Sequence, residues 1–164
     1  METGNTMELL DSVDCVGKHK PAIARFLAER AIGSGNIVVL VKTRGRLRDV
    51  FKRHALQVAR SDSVVIYIAR TEADVQPFAD LMLSFSLWHQ PYFHLLIGGP
   101  ELEKEIGHAI ASGDFKADRV ETECLQGVKC YVQPLDDILE FHAATDAVSC
   151  IEAVIVELRS VCLR

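Results

Sequence analysis

Four cations, Lys42, Arg44, Arg46 and Arg70, follow two apolar runs of the chain and are accompanied by the hydroxyls of Thr43 and Thr71. Gly98 and Gly99 follow a third apolar run. Guanidinium and ammonium groups beside hydroxyls make charge-assisted hydrogen bonds to an anion, and glycine lets the anion approach the backbone closely. These residues form the candidate binding set for a small anionic ligand such as one bearing a phosphate. Arg44 and Arg46 add a reason of their own. They stand at the start of a helical pattern, where a cation opposes the helix dipole by roughly 0.3–1 kcal/mol unless an anion compensates it. Asp49, Glu72 or solvent can supply that compensation equally well, leaving a solvated basic face.

Catalytic chemistry is harder to assemble from the same residues. Cys15, Cys124 and Cys130 fall outside the clear core stripes, and His19, His89, His94, His108 and His142 are available as bases. No nucleophile elbow or local cysteine signature joins any two of them, so small packed thiols are the plainer reading. His54 lies on an apolar helical stripe and reads as a hydrogen-bonded residue at the core edge. Gly17-Lys18-His19 shares two letters with the tail of a phosphate loop but lacks the upstream glycine and the following Ser or Thr. The spacing of His89 and His94 matches no zinc pattern, and the groups Asp136-Asp137 and Glu101/Glu103/Glu105 read as acids at helix starts. No metal and no cofactor is expected. On a strand, His94 is expected to pack beside Tyr92.

The elements that must position these groups are legible as patterns. Residues 37–41 (IVVLV), 64–68 (VVIYI) and 92–97 (YFHLLI) are continuous apolar runs rather than alternating ones. Such runs imply cover on both faces, as in a parallel sheet between helix layers. Helix-length segments lie between them. Residues 44–60 carry Leu47, Val50, Phe51 and Val58 on one stripe, and a second helix opens at Thr71 and continues to about Trp88, with Pro77 awkward inside it. Before the first run, a helix opened by Pro21 directs Ile23, Phe26, Leu27 and Ala31 inward and stops at Gly33-Ser34-Gly35. After the third run, Pro100 starts a helix with Leu102, Ile106 and Ala109 inward. Residues 119–125 and 128–132 read as an edge hairpin about Gln126-Gly127, residues 135–144 as a short helix, and residues 146–162 as a last helix with Ala147, Ile151, Val154, Ile155, Leu158 and Cys162 buried.

The fold expected is a three-layer α/β/α sandwich with a mainly parallel central sheet, Rossmann-like or flavodoxin-like. It forms one domain over residues 19–164, with no element assigned to residues 1–18. Parallel strands would gather the three strand-end loops, and with them the candidate cations, on one rim.

Composition narrows the partners. A chain of 164 residues with 49% apolar and 25% charged side chains has enough apolar matter for a core without disulfide or metal staples. The net charge of −5 argues against a general nucleic-acid binder. Five cysteines without C-x-x-C spacing point to reduced thiols, and the acidic start of the chain lacks the features of a signal peptide. A cytoplasmic protein with no membrane segment is expected. From Asp80 to Trp88 the helix is apolar on most sides, so Leu81, Leu83, Leu87 and Trp88 are the candidate interface for a homo-oligomer or a protein partner. The functional expectation is a non-catalytic regulatory or ligand-binding module. The alternatives are an enzyme acting on a phosphorylated or nucleotide-like substrate and a pure interaction scaffold.

Overall fold

The three apolar runs do form strands, and they lie side by side. In a computed structural model they are β2 (Ile37–Lys42), β4 (Val65–Ala69) and β5 (Phe93–Gly98), with β2 in the middle. The structure describes residues 7–14, 20–42, 57–58, 65–84, 93–112, 115–116, 119–120, 125–135 and 138–162. Around this centre the sheet continues through β8 (Val128–Leu135), β9 (Ile138–Ala144) and β1 (Met7–Asp14) on one side and the two-residue β3 (Gln57–Val58) on the other. The strand order is β1-β9-β8-β5-β2-β4-β3, and every neighbouring pair is antiparallel.

The antiparallel ladder overturns the mainly parallel, Rossmann-like or flavodoxin-like sheet. The physical reason lies in what an uninterrupted apolar run reports. It reports burial on both faces, and both faces of β2 are indeed covered, but a helix layer can cover an antiparallel strand as well as a parallel one. Val38, Leu40, Tyr67, Ala69, Leu95 and Ile97 point into one core with α1 (Lys20–Gly33), α2 (Val75–Ser84) and α4 (Val148–Cys162). Ile37, Val39, Val41, Ile66, Ile68 and Leu96 point into the other, against Leu102, Ile106 and Ala109 of α3 (Leu102–Ala111). The period of two is therefore present in each strand, concealed because both faces are apolar.

Three local readings are also corrected. Residues 135–144 contain the end of β8 and the whole of β9 rather than a helix: Leu139, Phe141, Ala143 and Ala144 are buried, while Ile138 is exposed and Glu140 and His142 are half-buried. Pro134 does not open a helix but lies inside β8, paired with Leu139 beyond Val132, where β5 pairing has already ended. There its missing N–H removes no bond to β5. The hairpin partner of β8 is accordingly β9. Arg119–Val120 forms a two-residue strand, β7, paired instead with β6 (Phe115–Lys116). Residues 7–14, left without an element by sequence, form the edge strand β1, whose alternation is broken by a register shift between Leu9 and Asp11.

The helix expected over 44–60 is contradicted at Gln57–Val58, which form β3 paired with β4, and its other residues lie outside the described ones. α1 and α4 follow the core of their stripes, with Phe26 and Val154 only half-buried. Ile23, Leu27 and Ala31 of α1 and Ala147, Ile151, Ile155 and Leu158 at α4 are buried. The helix α1 ends in a Schellman turn: the Asn36 N–H donates to the Ala31 carbonyl, the Gly35 N–H to the Ile32 carbonyl, and Gly35 takes φ +80°. α4 is tied to the edge strand by Arg159 donating to Asp11 and to α1 by the Arg30–Glu157 ion pair.

Among the described glycines, Gly98 marks the closest backbone approach. A Cβ built there would lie 2.1 Å from the Gly127 carbonyl oxygen, which belongs to the turn feeding β8. Gly107, inside α3, has nothing within 4 Å of the same position. Gly98→Ala is therefore expected to lose about 1–3 kcal/mol or more in urea denaturation, whereas Gly107→Ala is expected to gain about 0.5–1 kcal/mol from helix propensity. Equal effects of the two substitutions would contradict this packing.

Candidate functional site

Because β2 runs opposite to both β4 and β5, the three predicted strand-end loops divide between two ends of the sheet. Lys42 pairs with Val65 and Phe93, at the amino ends of β4 and β5. Ala69, which precedes Arg70, pairs with Val38, four residues back along β2, or about 13 Å at strand rise. The structure thus brings Arg70, Thr71, Gly98 and Gly99 to one end and leaves Lys42 at the other. Thr43, Arg44 and Arg46 lie outside the described residues, as do Leu87 and Trp88; Leu81 and Leu83 are in α2, with side chains outside them.

At the shared end, Arg70 and Thr71 are already engaged. The Arg70 guanidinium donates to both carboxylate oxygens of Glu103 on α3, with Nε to Oε2 at 2.8 Å. That contact raises the pKa of Arg70 and holds the Glu103 carboxyl below its ordinary range. The Asp74 carboxylate accepts from the Arg70 N–H, the Thr71 N–H and the Thr71 hydroxyl. Burial alone would raise the Asp74 pKa, but these donors and the nearby Arg70 charge outweigh it and lower the value. Both residues act here as fasteners between the end of β4 and the starts of α2 and α3.

What opens beside them is a polar cleft of about 330 Å³. Four chain reversals build it. The Schellman turn contributes Ser34, Gly35 and Asn36, and the turn from β5 into α3 contributes Gly99, Pro100 and Glu101. Gln126, Gly127 and Lys129 come from the start of β8, and Asp146 from the 3₁₀ turn before α4. Gly98 shapes the wall by admitting the Gly127 carbonyl, and the Glu105 carboxylate accepts the Gly127 N–H at 2.8 Å, clamping that turn. Lys129 reaches the cleft because β8 carries a register shift: Ile97 pairs with Cys130 and Gly98 with Val128, leaving Lys129 as the extra residue. Among the described lining residues the cleft holds one ammonium, two carboxylates, two amides and a hydroxyl.

Sequence reasoning identified Gly98 and Gly99 at this end but not Asn36, Gln126, Lys129 or Asp146. The turn signals Ser34-Gly35-Asn36 and Gln126-Gly127 were visible. Their convergence depends on sheet order, which no local pattern carries.

A second polar group lies on the α3 side of the sheet. His94 on β5 is 2% exposed and stacks on Tyr131 of β8, with ring centroids 5.6 Å apart. Tyr131 also contacts His142, its cross-strand partner on β9. Tyr131 Oη and His94 Nδ1 share a hydrogen bond, while Nε2 of both histidines is buried without a hydrogen-bond partner. Burial pushes the Tyr131 phenol upward, with Glu140 adding to the shift, so the phenol keeps its proton. Burial also lowers the His94 pKa to about 4, so its ring is neutral. The expected neighbour, Tyr92, lies outside the described residues.

The thiols and helices add little chemistry. Burial pushes the Cys130 thiol up to about 12, with the nearby Cys150 adding to the shift, which keeps it protonated and weakly nucleophilic. Among the described residues no three His, Cys, Asp or Glu side chains are grouped to hold a metal, and no helix is long and apolar enough to cross a membrane.

The His94 environment has a pH signature. Its folded pKa lies below the ordinary 6.5, so between pH 6.5 and about 4 the unfolded chain binds a proton that the folded chain refuses. The stabilising contribution is complete above pH 6.5 and is lost as pH falls through that window, by on the order of 3 kcal/mol in all. His94→Gln is expected to flatten this part of the stability curve in urea titrations at pH 7, 5.5 and 4; parallel curves for the two proteins would refute it.

Comparison of the chain with protein-family models, with curated proteins and with solved structures found no match to any of them.

Proposed function

We propose that this protein is a non-catalytic ligand-binding or regulatory module whose small polar ligand carries an anionic group and sits in the cleft between the α1–β2, β5–α3 and β8 turns. The observation that carries the reading is the cleft itself: about 330 Å³ of polar space walled by turns that hydrogen bonds and close packing hold in place. That volume lies within the range of small-molecule sites, about 300–1,000 Å³. The Lys129 ammonium favours negative charge there. The anionic group is thus assigned to Lys129 rather than to Arg70, whose charge Glu103 already matches.

Two further parts of the proposal rest on the sequence. Self-association is assigned to Leu81, Leu83, Leu87 and Trp88, on the apolar character of residues 80–88. A cytoplasmic setting fits the free thiols Cys130 and Cys150.

Thermal unfolding with a panel of phosphates, nucleotides, carboxylates and amino acids tests the reading. A ligand at about 100 times its Kd is expected to stabilise the fold by about 2.7 kcal/mol. Lys129→Glu is expected to abolish that gain, whereas Arg70→Ala lowers the starting stability and leaves the gain in place. A panel without any shift would favour the scaffold alternative, and turnover of a phosphorylated compound would favour the enzyme.

A further inference from the structure

A second cavity adjoins the polar cleft. It is a crevice of about 40 Å³ between α1, α4 and the sheet, walled by Leu27, Ala31, Ile97, Phe141, Ile151 and Val154. Ser34 and Asn36 line both spaces, so a polar chamber and an apolar slot meet at the Schellman turn. Arg30 also borders the slot, but its guanidinium pairs with Glu157 and lies 5.4 Å from the Phe26 ring centroid, so its charge is matched elsewhere.

The two spaces together specify a ligand more narrowly than either alone. At about 10–15 Å³ for each water-sized occupant, the slot takes roughly three or four heavy atoms. The chamber presents charges of both signs, Lys129 against Glu101 and Asp146. A simple anion satisfies the lysine and is repelled by the two carboxylates. A zwitterion satisfies all three. Resting on the module reading above, we infer that the ligand is a free α-amino acid with a short aliphatic or thioether side chain, of the size of valine, leucine or methionine. Its carboxylate faces Lys129, its ammonium faces Glu101 and Asp146, and its side chain enters the slot between α1 and α4.

Cys150, in the first turn of α4, is exposed and borders the same slot, which makes it a reporter of occupancy. Calorimetric titration of the full chain would compare L-leucine, L-valine and L-methionine with glycine, with 4-methylpentanoate, which lacks the ammonium, with 3-methylbutylamine, which lacks the carboxylate, and with inorganic phosphate. Each buried CH₂ contributes roughly fourfold in affinity, so the branched amino acids are expected to bind tenfold or more tighter than glycine. Each half-charged analogue is expected to lose tenfold or more. L-Leucine is expected to slow iodoacetamide alkylation at Cys150, followed by peptide mass spectrometry, and Val154→Phe is expected to reduce the leucine-over-glycine preference. Phosphate or glycine binding that depends on Lys129, with no gain from the side chain and no protection of Cys150, would overturn this assignment while leaving the module reading intact. Absence of binding by every compound would overturn this assignment, and the module reading falls with it only when the wider panel of nucleotides and carboxylates also gives no thermal shift.

Discussion

Antiparallel pairing of β2 on both its edges is the constraint from which the rest of the molecule follows. Val39 and Val41 point into one core and Val38 and Leu40 into the other, and all four are buried. With both faces apolar, sliding β2 by one residue would exchange the side chains of the two cores without exposing them to water, so amphipathic alternation gives this strand little register information. Register is set instead by its neighbours, through the backbone ladders to β4 and β5 and through shape. The close fit of Gly98 against the Gly127 carbonyl admits one alignment of β5 with the turn entering β8. Because β2 runs antiparallel to both neighbours, its beginning faces the ends of β4 and β5, and the turns that make the cleft lie at one end of the sheet.

The same geometry gathers three helix starts at one end of the sheet. β4, β5 and β9 all run toward the cleft end, and each continues into a helix: α2, α3 and α4. Their positive ends would concentrate potential there if left alone. Acids occupy that region in response: Asp74 receives three donors around the start of α2, Glu103 grips Arg70, and Glu105 holds the Gly127 N–H. The cleft is left with a mixed field rather than a basic one. That balance separates it from a general phosphate trap.

Much of this architecture was legible in the chain, and what was hidden has physical causes. The strands at 37–42, 65–69 and 93–98 and the buried stripes of α1 and α4 follow from side-chain type and spacing. Strand direction does not, since an apolar run records how many faces are covered and is silent about which way the neighbour points. The strand 138–144 alternates in burial, yet Pro134 just before it resembles a helix opener unless its place beyond the last β5 pair is known. β1 conceals its alternation behind the shift at Leu9/Asp11. Gly99 could be read as a close-approach residue from its position after a strand, whereas Lys129 and Asp146 enter the cleft only through a bulge and a sheet order that bring distant segments together.

The pairing of β1 with β9 joins residues 7–14 to residues 138–144. During synthesis on the ribosome, β1 is made before β9 and must wait for the whole segment between them before its ladder can form. Loop closure over such a separation is entropically expensive and slow. For that interval a segment with β-strand habits and the exposed Leu9 stays open to chance encounters. Its acids Glu8, Asp11 and Asp14 interrupt the apolar residues with like charges, the pattern that opposes edge-to-edge pairing of an exposed strand.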